Sequence, residues 1–351
     1  MKKILVTGGS GFIGSHMCLL LLERGYKVLA VDSFHNSSPN SLDNVLEICD
    51  KKKSTLRNNL NLIKSDLRDK KSIQKIFKVS KKDGEVIQGV IHFAGIKSVS
   101  ESVRNPLLYW HTNLTITINL LQVMSENNCK TIVFSSSATV YGKSEKKLIK
   151  ESDPLKPINP YGNSKYATEL ILNDAYQSSE REWSISNLRY FNPIGNHESG
   201  LIGECPLLSP TNIFPLILNV GSGELQNLII YGDDWNTIDG TGVRDYIHVL
   251  DLVDGHLLAL EFLLNNRGKY INLNLGTGQG TSVLELINSF QETNKIKIPY
   301  QISKRRNGDI EHCVADNKLA TTLLSWTPKR NIQDMCRDGW KWKKDNPYGF
   351  E

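Results

Sequence analysis

The chain has 351 residues, 39% hydrophobic and 23% charged; it can bury a core, and disordered and fibrous classes are excluded. At that length two domains, or one large α/β unit with an appendage, are expected. The net charge of +5 accommodates an anionic ligand without requiring nucleic acid, and the lysine runs lack the interleaved aromatics of a stacking surface. No run approaches the roughly 18 apolar residues of a membrane span, and the Met1-Lys2-Lys3 start lacks the apolar stretch of a signal peptide. Six cysteines (18, 49, 129, 205, 313 and 336) are scattered without a CxxC. They read as reduced thiols of a cytoplasmic protein, neither disulfides nor metal ligands.

In chain order, Ile4-Leu5-Val6 predicts a strand and Gly11 to about Arg24 a helix closed by Gly25. Lys27 to Val31 predicts a second strand, ended by Asp32. A basic, irregular stretch from Lys51 to Asn61 leads to short strands at Leu62-Ile63 and Val90 to Phe93. Strands at Thr131 to Phe134 and Ile185 to Arg189 follow, with helices near Ser72–Val79, Tyr109–Asn127 and Ser164–Ser178 between them. This alternation predicts a doubly wound parallel sheet, a Rossmann-type α/β domain over residues 1–188. Beyond it, loops rich in Gly, Pro and Asn separate Phe214–Val220, Leu228–Tyr231, Asp251–Leu264 and Val283–Phe290. Residues 189–351 therefore read as a smaller α/β unit, with residues 243–265 returning to the first.

Gly8, Gly11 and Gly14 fall at three-residue spacing between the first strand and the first helix. Glycines there permit a tight turn, close approach of a pyrophosphate to the backbone and close helix-to-strand packing. Asp32 closes the second strand where a carboxylate would accept ribose hydroxyls and repel a 2′-phosphate, which favours NAD over NADP. A second cluster, Gly276 to Gly280, precedes Thr281-Ser282 and a helical run. It reads mainly as a turn and cap, with ligand contact as the alternative.

Tyr161 and Lys165 are four residues apart, hence on one face if the segment is helical. An ammonium beside a phenol favours phenolate, and a bound nicotinium would add to that, turning Tyr161 into a usable base near neutral pH. Composition alone supplies one or two such spacings, and Tyr300 with Lys304 is a second. That pair follows Pro299 in an extended-looking stretch, which would put its members about 13 Å apart. Ser137 ends a predicted strand upstream of Tyr161, at the sheet edge where such folds bind ligands. It is either a hydrogen-bonding partner of the reacting group or part of a plain serine-rich loop.

From Lys3 to about Trp342 the chain resembles the extended short-chain dehydrogenase/reductase family, and within it the UDP-galactose (UDP-hexose) 4-epimerases. The resemblance is carried by Thr7-Gly-Gly-Ser-Gly-Phe-Ile-Gly-Ser-His16, His92-Phe-Ala-Gly95, Ser135-Ser-Ser-Ala-Thr-Val-Tyr-Gly142, Tyr161-Gly-Asn-Ser-Lys165 and Leu188-Arg-Tyr-Phe-Asn-Pro193. Asp239-Gly-Thr-Gly-Val-Arg-Asp-Tyr-Ile-His-Val249 and Arg305-Arg-Asn-Gly-Asp309 extend it. It implies that Gly8, Gly11, Phe12, Ile13 and Gly14 form the phosphate turn, that Asp32 and Asn36 meet the adenosine ribose, and that Asp66 and Leu67 flank the adenine. It also implies cofactor contacts for Phe93, Ala94, Lys97, Asn113 and Tyr190, with Lys165 on the nicotinamide ribose. Ser137 and Tyr161 match the catalytic pair. Asn192, Asn212, Tyr231, Arg244, Arg306 and Asp309 match UDP-sugar contacts, the two guanidinium forks suiting a diphosphate.

The implied reaction removes the proton of the sugar 4-hydroxyl through Tyr161 while hydride passes from carbon 4 to NAD. The 4-keto sugar then turns over and takes the hydride back on its other face, so NAD is regenerated. The resemblance also implies a homodimer through the helices at 109–127 and 164–178, with no membrane and no nucleic-acid partner. Two departures, Ser33 where many relatives carry Asn and a long basic stretch near 51–59, should affect only the cofactor rim. Cys313 occupies a wall position that is a bulky Tyr in members limited to glucose and galactose, and small in members that also accept N-acetylated sugars. It implies turnover of UDP-GlcNAc/UDP-GalNAc as well, unless it is a buried thiol without selective role. Rival readings are a 4,6-dehydratase, a UDP-glucuronate decarboxylase and a catalytically silent NAD-binding regulator. Ala138 and Thr139 offer no carboxylate for dehydration, and a silent regulator should have lost Tyr161 or Lys165.

Overall fold

The computed structural model describes residues 1–52, 54–208, 210–306 and 308–350. The first half runs β1 (Lys3–Thr7), α1 (Phe12–Glu23), β2 (Lys27–Asp32), α2 (Asn40–Lys52), β3 (Leu60–Lys64), α3 (Lys70–Lys82), β4 (Ile87–His92), α4 (Val99–Arg104), α5 (Pro106–Glu126), β5 (Thr131–Ser137), α6 (Pro160–Ser178) and β6 (Ser184–Tyr190). There follow β7 (Asn192–Ile194), α7 (Ile213–Gly221), β8 (Leu228–Tyr231), β9 (Val243–Arg244), β10 (Tyr246–His248), α8 (Val249–Asn265) and β11 (Tyr270–Leu275). The chain ends through β12 (Thr281–Ser282), α9 (Val283–Asn294), β13 (Tyr300–Ser303), β14 (His312–Cys313), α10 (Lys318–Leu324) and α11 (Ile332–Asp345).

Seven parallel strands form one sheet in the order β11-β6-β5-β4-β1-β2-β3. Both faces are covered, as parallel strands with near-continuous apolar runs require. Met17, Leu21, Val45, Leu257 and Leu260 fill one side; Ile76, Phe77, Leu120 and Leu172 fill the other. The strand order reverses between β1 and β4, which opens a crevice at their carboxyl ends.

Two elements depart from expectation. The Lys51–Asn61 stretch is not irregular: α2 ends in it and a 3-10 turn, Ser54–Asn59, follows. Leu42, Val45, Ile48 and Cys49 recur at helical spacing and are buried, while Lys51 and Lys52 sit in the last turn, where cations suit the helix dipole. Lys53 lies outside the described residues. The last strand of the sheet, β11, falls in Tyr270–Leu275, where no strand was expected. Asn272 and Asn274 break its apolar run, but Asn187 Nδ2 donates to Asn272 Oδ1 at 2.8 Å and Asn274 Nδ2 to Ile149 O at 2.8 Å. Helix α8 packs on α1 and on β6 beneath them.

The remaining segments gather around Phe214, Ile217, Ile287, Phe290 and Met335, which form a separate core. Small sheets β12-β9-β14, β10-β7 and β13-β8 complete the second half. Among the described residues no helix is long and apolar enough to cross a membrane.

Candidate active site

The glycine turn follows β1 at the reversal point. Gly8 has φ +69°, a backbone that L side chains rarely adopt, and a Cβ there would lie 2.9 Å from Ala94 N. A Cβ on Gly14 would lie 2.0 Å from Gly8 O, so only glycine lets α1 pack this closely. Gly11, the N-cap of α1, offers no side-chain acceptor. The first N–H groups, from Phe12 and Ile13, are thus left for an anion. Asp32 is buried at the end of β2. Its carboxylate accepts Ser10 N–H at 3.0 Å, Phe34 N–H at 2.9 Å and the Ser37 hydroxyl at 2.8 Å, and folds the following loop around itself.

Other residues matched to the cofactor lie along the same edge. Phe93 N–H donates to Thr7 O at 3.1 Å and Ala94 N–H to Thr7 Oγ1 at 3.2 Å, which joins β4 to β1. Asn113 on α5 clamps the next loop by accepting Ile96 N–H at 2.9 Å and donating to Ser164 Oγ at 3.0 Å. Asn36 Oδ1 accepts Leu208 N–H at 2.9 Å, and Lys97 pairs with Glu204 at 3.2 Å. Asp66, after β3, pairs with Arg68 at 2.6 Å, and that guanidinium holds its carboxyl below the usual range. Leu67 beside it is buried. Tyr190 and Ser10 carry buried hydroxyls with no hydrogen-bond partner among the described residues. An orphaned donor costs free energy unless a ligand satisfies it.

Tyr161 and Lys165 stand on α6. Pro160 occupies its first turn and Asn159 Oδ1 caps it by accepting Gly162 N–H at 2.8 Å. Tyr161 and Lys165 therefore sit on one helix face, the ammonium 5.9 Å from the phenol ring centre and 4.8 Å from that of Phe134. Lys165 Nζ donates to Ser135 O at 2.7 Å, which ties it to the end of β5. Ser137 ends that strand beside Tyr161 and accepts Thr139 Oγ1–H at 3.0 Å. Tyr300, of the competing pair with Lys304, lies in the strand β13, so that pair shares no helix face.

Tyr161 keeps part of its surface open to the cleft, yet burial of its phenol pushes it up to about 12, with the Ser137 hydroxyl acting the other way. Burial also pushes Lys165 down to about 8, opposed by Glu169. Desolvation disfavours both charged forms, and the ammonium by itself does not produce a phenolate. A further positive charge is needed at this point.

The residues matched to the UDP-sugar come from the second half. Arg244, in β9, donates to Val243 O at 2.9 Å. Arg306 stacks on Tyr231 with 4.5 Å between guanidinium and ring centre, and pairs with Asp309 at 3.0 Å. Asn307 between them lies outside the described residues. Asn192 opens β7 and Asn212 precedes α7, its side chain making no cap bond. Cys313 pairs in register with Arg244 and is buried in a cluster with Ala138, Phe191 and Ala315, against the residue that follows Ser137. Burial pushes its thiol up to about 12, so it carries no charge near neutral pH.

Asp245 is a residue that sequence reasoning passed over. Fully buried, it accepts Thr277 N–H and the Thr277 hydroxyl at 2.7 Å, Gly278 N–H at 2.9 Å and Ala315 N–H at 3.1 Å. It thereby organises the Gly276–Gly280 turn, and Ser282 with Glu285 caps α9 after it. Its only signal was its place between Arg244 and Tyr246 in the Asp239–Val249 string.

A family model described as GDP-mannose 4,6 dehydratase matches residues 5–339. The chain is 46% identical to UDP-glucose 4-epimerase 2 of Arabidopsis thaliana over 349 residues, 99% of this chain and 97% of that one. It is likewise 46% identical to UDP-glucose 4-epimerase of Bacillus subtilis (strain 168) over 348 residues, 99% and 98% of the two chains. The solved structure of UDP-glucose 4-epimerase from Bifidobacterium longum in complex with NAD+ and UDP is similar with a TM-score of 0.92 and 43% identity, covering 99% of this chain and 100% of that one.

Proposed function

The chain belongs to the UDP-glucose 4-epimerase family of extended short-chain dehydrogenases/reductases, which makes it an NAD-dependent epimerase of UDP-hexoses, and from this premise we propose how its own residues divide the work. One observation carries the assignment: α6 and β5 bring Tyr161, Lys165 and Ser137 together at the carboxyl edge of the sheet, beside the glycine turn. Tyr161 is the base that takes the proton of the 4-hydroxyl. Ser137 orders that hydroxyl, and Lys165 keeps a positive charge beside the phenol. NAD, when bound, would supply the hydride acceptor and donor for carbon 4 and add positive charge beside the phenol.

The residues present suit that cofactor. Gly8, Gly11 and Gly14 leave room for a pyrophosphate at the start of α1, where Phe12 and Ile13 offer N–H groups. Asp32 and Asn36 are assigned to the adenosine ribose, Asp66 and Leu67 to the adenine. Phe93, Ala94, Lys97, Asn113, Lys165 and Tyr190 are assigned to the rest of the cofactor, where the unpartnered Tyr190 hydroxyl would gain a partner. Arg244 and Arg306 would clamp the UDP diphosphate, with Asn192, Asn212, Tyr231 and Asp309 completing the site. The seven-stranded unit thus holds NAD and the second core the UDP-sugar. A dehydratase needs a carboxylate beside the catalytic hydroxyl, and here Thr139 fills that place by donating to Ser137.

Three finer assignments belong to the same proposal. Cys313 leaves space for an acetamido group, so UDP-GlcNAc and UDP-GalNAc are substrates too. Leu107, Leu108 and Ile118 on α5 and Leu170 on α6 are exposed, and their burial against the same helices of a second copy would make a homodimer. Six free thiols suit a reducing cytoplasm.

Incubation of the purified protein with UDP-galactose, followed by resolution of the product sugars, tests the reading. UDP-glucose is expected without added oxidant. A 6-deoxy-4-keto sugar would make the protein a dehydratase, and an unchanged substrate would make it a silent NAD-binding protein.

A further inference from the structure

Helix α6 turns a third charged residue toward the sheet. Glu169 lies one turn beyond Lys165, as Lys165 lies one turn beyond Tyr161, so all three project from one helix face. Arg189 of β6 grips its carboxylate at both oxygens, Nε at 2.9 Å from Oε1 and Nη2 at 2.6 Å from Oε2. The arginine side chain is 3% exposed and the glutamate 4%. Ser136, opposite Arg189 in the strand register, donates its hydroxyl to the same Oε1. The remaining guanidinium nitrogen donates to the Tyr141 hydroxyl at 3.0 Å and to Glu151 O at 3.1 Å. Every polar group of the pair is satisfied, yet a buried ion pair is seldom a net gain in stability over apolar packing. Its position suggests another use.

The carboxylate stands between the two elements that hold the reactive groups. Ser136 lies between Ser135, whose carbonyl accepts from Lys165, and Ser137. The groups around Lys165 are Tyr161 and Glu169 on α6, His92 on β4, and Arg189 and Tyr190 on β6 behind them. His92 is held neutral, since burial and the neighbouring ammonium push it down to about 3. Glu169 is therefore the anion that faces Lys165 among these groups.

We propose that Glu169 is a positioning residue for the epimerase reaction: held by Arg189, it fixes the end of β5 through Ser136 and keeps the Lys165 ammonium charged beside Tyr161. The proposal rests on the reading of Tyr161 as base and Lys165 as its cationic neighbour. Burial drives Lys165 toward its neutral form and Glu169 opposes it. Losing that carboxylate lets the ammonium give up its proton at lower pH.

The test is the pH profile of kcat for UDP-galactose with the NAD-loaded enzyme. In Glu169→Gln the alkaline limb should move toward neutrality by about one pH unit, with KM within about twofold of wild type. Glu169→Gln/Arg189→Gln leaves no unpaired buried charge and should shift the limb in the same direction, so it serves if the single variant does not fold. Ser136→Ala removes only the grip on β5 and should lower kcat by about threefold with the limb in place. A folded Glu169 variant with the wild-type limb overturns the proposal. So does an unchanged kcat in Ser136→Ala, which decides the matter if neither Glu169 variant folds. Tyr161→Phe, assayed alongside, separates the two claims: if it stays active, the reading of the base is wrong, whatever Glu169 does.

Discussion

Tyr161→Phe should lower kcat for UDP-galactose by about 10³-fold while KM stays within about twofold. The substitution removes one oxygen and leaves the ring, its edge-on contact with Tyr109 at 6.4 Å and the helix face intact. Among the described residues, neither of the other basic groups near Ser137 is suited to accept the proton. Lys165 donates to Ser135 O and is cationic at neutral pH, and His92 is buried and engaged by Thr7 at 2.7 Å and Thr117 at 3.1 Å. The pH dependence has a definite sign. On the proposed assignment Tyr161 acts as phenolate, so activity should rise with pH through the phenol's pKa in the complex, below the value of about 12 to which burial pushes it. Activity falls again where Lys165 loses its proton, from a starting value near 8. Steady-state rates of wild type and variant across pH 5–10 check both limbs; a variant with more than about one tenth of wild-type kcat would remove Tyr161 from the mechanism.

Cys313→Tyr should cut turnover of UDP-GalNAc by about 100-fold and leave UDP-galactose within about threefold. The thiol is buried in a cluster with Ala138 and Phe191, so a phenol ring at that position must displace those neighbours or reach into the space the proposal gives to the sugar. That is the volume an acetamido group would need, whereas a hydroxyl at the same carbon needs far less. Because the thiol is neutral and makes no hydrogen bond among the described residues, the change acts through shape. Parallel assays with both UDP-sugar pairs provide the check. If the wild-type protein leaves UDP-GalNAc untouched, Cys313 has no selective role and the wider substrate range falls.

Much of this site was legible because its chemistry depends on local spacing. Gly8, Gly11 and Gly14 follow a strand and open a helix, a geometry that backbone sterics alone demand. Tyr161 and Lys165 needed only the certainty that their segment is helical, and Asn159 and Pro160 provide it as cap and first turn. What stayed hidden depends on contacts distant in sequence. Strand β11 carries two asparagines that look like loop residues until Asn187 and Ile149 O satisfy them. Asp245 looks like a surface acid until the Thr277–Gly278 turn and Ala315 close over it. Spacing likewise reveals the ammonium beside the phenol but not the desolvation that opposes it.

The central claim is that one hydride leaves carbon 4 of the sugar and returns to the same carbon of the same molecule. Its most direct test uses UDP-galactose deuterated at carbon 4, mixed with unlabelled UDP-galactose carrying a mass-distinguishable uridine, in ordinary water. The account predicts UDP-glucose that keeps its deuterium at carbon 4, with none transferred to the other uridine mass. Loss of the label to solvent, or its appearance in the unlabelled partner, would contradict it.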